Sequence, residues 1–519
     1  MKKSLFAIAA ITMLLTACSK TEDASINQNG ANVFPSSSMD ASEPITMGDV
    51  MPFYDDGVMN IYHLRNTTGT NSLFYHPIAR LTTEDFIHYT DEGIALNYEE
   101  NILSVDAALG TGSFIKDTNG LYHCFYTGHN DKGTEPEMGD NRLPYIEVIR
   151  HATSMDQKEW TKDEDFKLYG GFNDFRDPYV YFDSVDNCYY MLVTTRHIVK
   201  DEFGNDVNLS VIRRYHSNSL SNPHTGWIQD DNDFFVNDEG SYNMECPSYV
   251  EYEGVYYLAY SEQGENRVTH YRYRTSHDGE WKKPNVDAID SSGFYAGRLE
   301  KAGNKLYAFA WCARLTGGST GSFDWAGNLV THELRKNSNN ELALNDLTPV
   351  MPTTYKDYFS HEVAYTNTKG ERVENIAFNG EKFDSVTLSK KSNNVTRLSM
   401  KIKVSDGLGD FGMTFGLNKQ LDKRLGDGII SFDVPNSKIA CFNNVSSIVR
   451  YGGELTNVKY DFATNKEYLV DVVMYGEIIS VYLNNEVALT CRLVNMTNNY
   501  FGFYSNKANV RFEEVRFYE

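Results

Sequence analysis

Tyr249-Val-Glu-Tyr-Glu-Gly-Val-Tyr-Tyr-Leu-Ala-Tyr260 is the stretch whose reading decides the fold. Aromatic and branched residues lie on both sides of Glu253-Gly254. Such side chains fit a pleated surface, and a glycine supplies the positive φ of a tight turn, so the stretch reads as a β-hairpin. The pattern returns in Phe53 to His63, Phe114 to Tyr126, Val180 to Leu192 and Leu299 to Phe309, each with an Asp/Asn/Gly turn or its equivalent between two strands. Tyr62, Tyr122, Tyr189, Tyr256 and Tyr307 hold matching places, separated by 60, 67, 67 and 51 residues. Five β units at this interval predict a five-bladed β-propeller over residues 44–345. An irregular sandwich would have no reason to repeat so evenly.

From about residue 370 onwards the strands alternate without that period, as in Thr396 to Val404 and Ile478 to Val487. They predict a β-sandwich over 371–519, joined to the propeller by a connector over 346–370. The fold class is therefore all-β. Gly407-Leu-Gly-Asp-Phe-Gly412 matches Gly-x-Gly-x-x-Gly, but strand-like flanks and the lack of a following helix make it a hairpin loop rather than a phosphate cradle.

Among 519 residues, 48 Lys+Arg stand against 71 Asp+Glu, a net charge of −23. So acidic a surface repels phosphate backbones and argues against a nucleic-acid partner. The 35 Tyr and 29 Phe suit strands and sugar-facing clefts instead. At the N-terminus, Lys2-Lys3, the apolar run Leu5 to Leu15 and then Leu15-Thr16-Ala17-Cys18 read as a signal peptide over 1–17. The run of about 11 residues is too short to span a bilayer. Leu-x-Ala-Cys resembles the bacterial lipobox, which makes Cys18 the lipidated first residue, with residues 18–43 as a flexible tether. Ser19 to Asp23 resembles the acidic export signal of some surface lipoproteins. The expectation is a lipoprotein of a bacterial cell envelope, on the periplasmic or cell-surface side of the outer membrane. Its partners would be membrane lipid and an outer-membrane glycan-uptake complex.

The other six cysteines are scattered without Cys-x-x-Cys and read as buried small hydrophobes, neither a disulfide framework nor a zinc site. The 13 His show no ligand spacing, so no metal and no cofactor are expected.

The repeat also says where chemistry gathers. Asp49 lies 8 residues before Gly57, Asp177 lies 10 before Asn187, and Glu245 lies 9 before Gly254. Ser113 and Tyr295 stand a little before their own turns. If these positions begin the inner strands of radial blades, three carboxyl groups share one funnel. Two carboxyl groups flanking a glycosidic bond can hydrolyse it, at about 5–5.5 Å apart with retention or about 6.5–9.5 Å with inversion. A third can hold sugar hydroxyls.

Phe175-Arg176-Asp177-Pro178 and Met244-Glu245-Cys246-Pro247 resemble the Arg-Asp-Pro and Glu-Cys motifs of glycoside hydrolase family 32, the invertase, inulinase and levanase family. Gly110-Thr-Gly-Ser113 through Phe125-Tyr-Thr-Gly128 is similar to its second-blade motif. Phe294-Tyr-Ala296, Trp311 and Trp325-Ala-Gly-Asn-Leu329 are similar to its fifth-blade signature. The likeness covers about residues 44–345 in family order. It implies a five-bladed propeller with a lectin-like sandwich behind it, and a retaining, cofactor-free mechanism on fructofuranosides. Asp49 would be the nucleophile, Glu245 the acid/base and Asp177 the transition-state stabiliser, oriented by a charge-assisted hydrogen bond from Arg176. Cys246, Ser113, Tyr295, Trp311 and Trp325 would line the substrate pocket.

The family's first motif, Trp-Met-Asn-Asp-Pro-Asn-Gly, appears here as Thr46-Met47-Gly48-Asp49-Val50-Met51-Pro52. Anchoring on the next hairpin gives Asp49 the nucleophile's place, while Asp55 and Asp56 read as hairpin-tip residues. The motif's Trp and Asn are absent, which leaves the sugar and linkage open. The expected substrates are levan, inulin or sucrose-type oligosaccharides, releasing fructose or fructo-oligosaccharides. Two other readings stay open: an arabinan- or xylan-type furanosidase of the related propeller family, and a non-catalytic surface glycan-binding protein.

Overall fold

The computed structural model describes residues 26–27 and 46–518, except 67–75, 87, 238–242, 265–266, 317–321, 346–364, 368–371, 374, 393–394, 407, 418–425, 444–452 and 495. The segment read as a signal peptide, Cys18, and most of the segments read as tether and connector lie outside the described residues. Among the described residues the helical pieces are three 3₁₀ turns, Lys132–Thr134, Pro136–Asn141 and His224–Gly226. No helix among them is long and apolar enough to cross a membrane.

Up to Leu344 the strands form five successive antiparallel meanders. Their first and second strands are Thr46–Asp55 and Val58–Asn66, Ala108–Lys116 and Tyr122–His129, Arg176–Asp183 and Cys188–Lys200, Asn243–Tyr252 and Val255–Gln263, and Tyr295–Ala302 and Lys305–Thr316. Each pair is one of the hairpins read from the sequence, with a positive-φ residue at its turn: Gly57, Gly120, Asn187, Gly254 and Gly303 in order. The first strands pack one against the next, and Tyr295–Ala302 packs back on Thr46–Asp55, so they form a closed ring. The closure is also hydrogen-bonded, because Met47 pairs with Gly327 in the fifth meander's Ser322–Lys336 strand. Two of the marker tyrosines stack between meanders. Tyr62 stacks on Phe114 of the second meander, with centroids 3.5 Å apart and planes at 10°, and Tyr307 stacks on Phe86 of the first.

Each first strand loses its ladder register near its beginning. The shifts fall between Gly48 and Val50, Gly110 and Gly112, Arg176 and Tyr179, Glu245 and Ser248, and Tyr295 and Arg298. Four of the bulged residues hold positive φ without being glycine: Asp49 (22°), Asp177 (60°), Cys246 (52°) and Ala296 (54°). A bulge bends the strand and re-aims its side chains, so these five shifts set the geometry at one end of the ring.

The C-terminal strands form an eight-stranded and a six-stranded sheet enclosing one apolar core, in which Leu398, Met400 and Val472 meet Phe411, Ile430 and Phe503. The first described strand of this part, Tyr365–Asn367, already lies inside the segment read as connector. The glycine-rich segment departs from expectation as well. Beyond Gly407, outside the described residues, it leads from Val395–Val404 in one sheet to Asp410–Leu417 in the other. It is a crossover rather than a hairpin loop, because Val404 pairs with Lys466 and Val510 while Asp410 pairs with Asp433 and Asn506.

The sandwich docks on the ring through a buried carboxylate. Asp290 Oδ2 accepts hydrogen bonds from His332 Nε2 at 2.8 Å and Thr490 Oγ1 at 2.6 Å, while Oδ1 accepts from the Thr490 N–H at 2.7 Å. Beside it, a Cβ on Gly293 would lie 2.0 Å from the Thr490 carbonyl oxygen, so only glycine allows the two backbones this close. Around these polar contacts, Tyr257, Leu306 and Val330 of the ring share a core with Val473, Ile478 and Tyr482 of the sandwich. Asp290→Ala leaves several buried donors without an acceptor and should cost about 3 kcal/mol or more. Thermal unfolding followed by calorimetry should then separate into two steps where the parent shows one.

Candidate active site

A pocket of about 760 Å³ opens at the bulged end of the ring. Asp49, Asp177 and Glu245 all line it, together with Arg176, Cys246, Tyr295, Trp311 and Trp325. Asp177 is buried, and Asp49 and Glu245 are half-buried.

Each carboxylate is gripped through specific atoms. Asp49 Oδ1 accepts from Trp311 Nε1 at 3.0 Å and Oδ2 from Thr111 Oγ1 at 3.1 Å. Asp177 Oδ2 accepts from the Cys246 N–H at 2.9 Å, and its own N–H donates to Thr127 Oγ1 at 3.0 Å. Glu245 Oε1 accepts from Arg176 Nη2 at 2.8 Å and Oε2 from the Tyr295 hydroxyl at 2.5 Å.

Three expectations need correcting. The three acids do not share one strand position. Asp49 and Asp177 occupy bulges, in line with Thr111, Cys246 and Ala296, whereas Glu245 sits one residue earlier, level with Arg176 and Tyr295. Counting back from the hairpin turn hides this, because the turns differ in length. As a consequence Arg176 serves a different acid. Its Nε lies 3.9 Å from Asp177 Oδ2, beyond hydrogen-bond reach, while Nη2 bonds Glu245 and Nη1 bonds Asp174 at 2.9 Å and Glu147 at 3.2 Å.

Ser113 is the third correction, since it is buried but off the pocket wall. Its Oγ accepts the Val180 N–H at 2.9 Å, and the equivalent Ser248 Oγ accepts the Leu299 N–H at 2.9 Å. Both serines tie a first strand to the next one round the ring. Thr111, two residues earlier, is the side chain that reaches the pocket. The Gly110-Thr-Gly112 sequence carried that signal, because a residue skipped between two glycines marks the bulge. Glu147, Asp174, Thr127 and His129 also line the pocket and were not singled out from the sequence.

The altered first motif has a structural counterpart. A Cβ on Gly48 would lie 2.1 Å from Trp325 Cζ2, so the glycine makes room for that indole on the pocket wall. Trp325 in turn meets Trp311 edge-on, with centroids 6.2 Å apart. Asp55 lies at the other end of its strand, where it accepts from Tyr122 OH and pairs with Lys116, as a hairpin residue would.

The electrostatics divide the acids. Burial pushes the Asp49 carboxyl up, the Glu245 charge adds to that, and the Trp311 and Thr111 hydrogen bonds offset only part of it. Burial likewise raises Asp177 against the pull of Arg176. Burial would raise Glu147 too, yet Arg176 and His129 hold it below the ordinary carboxylate range. Burial and the Glu245 charge push the Tyr295 phenol up, which keeps it a donor. One His/Asp cluster among the described residues, Asp183, Asp186 and His277, has ligand atoms within 4.8 Å of one another. It lies at the opposite end of the strand that starts with Arg176, and its Asp183 already caps the turn N–H groups of Val185 and Asp186.

Residues 51–341 match the model of the glycosyl hydrolases family 32 N-terminal domain. The chain belongs to glycosyl hydrolase family 32. Asp49 stands two residues before the matched span, on the same strand. The chain is 26% identical over 289 residues to the levanbiose-producing levanase of Bacillus subtilis (strain 168), covering 51% of this chain and 46% of that protein. It spans about half the length of the curated relatives it matches. Among solved structures, the exo-inulinase of Aspergillus awamori superposes with a TM-score of 0.65 at 13% identity, covering 91% of this chain and 95% of that one. Fructan 1-exohydrolase IIa of Cichorium intybus gives 0.65 at 15% identity, with the same coverage. At these identities the structural likenesses carry the fold.

In this family member Ser113 has a tying role, and that can be tested directly. Ser113→Ala should lower stability by about 1–3 kcal/mol, because the buried Val180 N–H loses its acceptor. Chemical denaturation measures the loss, while sugar binding at the pocket should stay within twofold of the parent by titration calorimetry.

Proposed function

We propose that the chain is a retaining β-fructosidase acting on β-fructans or sucrose-type oligosaccharides, built as a five-bladed β-propeller with a lectin-like β-sandwich behind it. The observation that carries this reading is the meeting of Asp49, Asp177 and Glu245 in one pocket of a family 32 chain. The closed ring of five first strands supports the propeller. The names of the relatives, a levanase, an exo-inulinase and a fructan exohydrolase, all concern β-fructans and favour that substrate class.

In this mechanism the Asp49 carboxylate attacks the fructosyl anomeric carbon as the glycosidic C–O bond breaks. Glu245, its oxygens held by Arg176 and Tyr295, gives its proton to the leaving oxygen. Water then attacks the same carbon, Glu245 takes the water's proton, and the ester to Asp49 breaks. Asp177, fixed by the Cys246 N–H, holds ring hydroxyls through its remaining acceptor sites. No step requires a cofactor. The Leu15-Thr-Ala-Cys18 motif supports a lipid-anchored enzyme at a bacterial outer membrane.

Three measurements test the reading. Glu245→Gln should lower kcat on levan, inulin or sucrose by about 10²–10⁴-fold with an unchanged thermal transition. Full activity in that variant sinks the assignment. The anomeric configuration of the first-formed fructose should be retained, as seen by NMR at early times.

The third measurement is the pH profile. Asp49 must be ionised to attack, and its carboxyl lies above the usual range, so activity should fall away in acid at a pH above the ordinary aspartate value of about 3.9. Thr111→Val removes a hydrogen bond that favours the ionised form. The acid limb of kcat/KM should move to still higher pH, the alkaline limb should stay, and the plateau should drop roughly tenfold.

A further inference from the structure

We propose that Cys441 and Cys491 are the two halves of a disulfide that locks the docking face of the sandwich. Cys441 lies within Lys438–Asn443 of the eight-stranded sheet, and Cys491 within Val487–Arg492 at the edge of the six-stranded sheet. The two strands face each other across the core, and the two sulfurs are 2.6 Å apart. Cys441 is fully buried and Cys491 is 4% exposed, both among apolar side chains such as Ile439, Ile479 and Leu489. Cys124, Cys188, Cys246 and Cys312 have no such sulfur partner among the described residues. A single buried thiol behaves as a small hydrophobe, but two placed sulfur to sulfur on opposite sheets form a site for oxidation.

The neighbours show what this link would hold. Cys491 stands between Thr490, whose N–H and hydroxyl bond Asp290 of the ring, and Arg492, whose Nε bonds the Ala313 carbonyl of the ring at 2.6 Å. Cys441 pairs directly with Thr456, whose Oγ1 accepts the Ser292 N–H of the ring at 2.9 Å. The docking contacts therefore come from strands of both sheets, and nothing covalent joins them except the long path of chain between 441 and 491. A bond between the two sulfurs closes that path and removes freedom from the unfolded chain.

The chemistry balances by thiol–disulfide exchange. The two thiols give up two protons and two electrons, an S–S bond forms between them, and the acceptor's own S–S bond becomes two thiols. The acceptor is a low-molecular-weight disulfide or a protein disulfide of an oxidising compartment. A cavity of about 450 Å³ at the seam reaches Cys491, with Cys312 on its ring side. This inference is independent of the catalytic reading.

Peptide mapping of the purified full chain tests it. The protein is held with oxidised glutathione, denatured, alkylated without reductant, digested and analysed by mass spectrometry. The expected result is one linked peptide pair containing Cys441 and Cys491, with Cys124, Cys188, Cys246 and Cys312 alkylated. Reductant should lower the Tm of the parent by roughly 5–10 °C and leave that of a Cys441→Ala/Cys491→Ala double variant unmoved. Alkylated Cys441 and Cys491 after the glutathione step would overturn the proposal, as would a link from either to Cys312. The mapping uses the parent chain, so it decides the question even if the double variant fails to fold.

Discussion

The bulge at the start of each first strand is the constraint on which the site depends. In a regular strand consecutive side chains point to opposite faces, so a ring of regular strands could offer its axis only alternate residues. The extra residue breaks that alternation. The pocket accordingly takes consecutive pairs: Gly110 and Thr111, Arg176 and Asp177, Glu245 and Cys246. One residue of a pair faces its level neighbour on the next strand, which is how Arg176, Glu245 and Tyr295 come to bond in a row. The other occupies the bulge, with positive φ at Asp177 and Cys246, and there Asp177 meets the Cys246 N–H. Such backbone strain persists only where its surroundings over-determine it, and here the neighbouring strands do so.

That arrangement also distributes charge unevenly. Arg176 spends its guanidinium on Glu147, Asp174 and Glu245. Glu147 and Asp174 are held low by it, despite a burial that would raise them. Asp49 and Asp177 receive neutral donors instead: an indole N–H, a hydroxyl and a backbone N–H. Neutral dipoles compensate a buried carboxylate less than a cation does, so both stay raised. The pocket thus contains acids of two kinds, Glu147 and Asp174, held as anions by Arg176, and Asp49 and Asp177, raised by burial.

The hairpins were legible in the sequence because their information is local. A turn residue and flanking aromatics lie within a dozen positions, and Tyr62 or Tyr307 marks a repeat whether or not its partner is known. The three acids were legible through their motifs. Their relative register was not, because a bulge is a one-residue event decided by hydrogen bonds to another strand. This is why the sequence points to Ser113 where the pocket residue is Thr111, and joins Arg176 to its neighbour Asp177 rather than to Glu245, 69 residues away. The glycine-rich segment near Asp410 failed for a similar reason. Its local composition suits a hairpin, but the partners of the flanking strands lie on different sheets.

The docking seam bears on the site through the same strands. Lys305–Thr316 carries Trp311 to Asp49 and, two residues later, the Ala313 carbonyl to Arg492 of the sandwich. Ser322–Lys336 carries Trp325 to the pocket wall and, three residues later, Asn328 to the same Arg492 at 2.6 Å. A single sandwich arginine therefore braces the two strands that hold the indoles beside Asp49. Loosening the seam would free those strands before it disturbed Asp177 or Glu245, whose partners all lie within the ring. Among the described residues the sandwich carries no side chain that bonds the three acids, and its physical contribution to the site is the fixed position of Trp311.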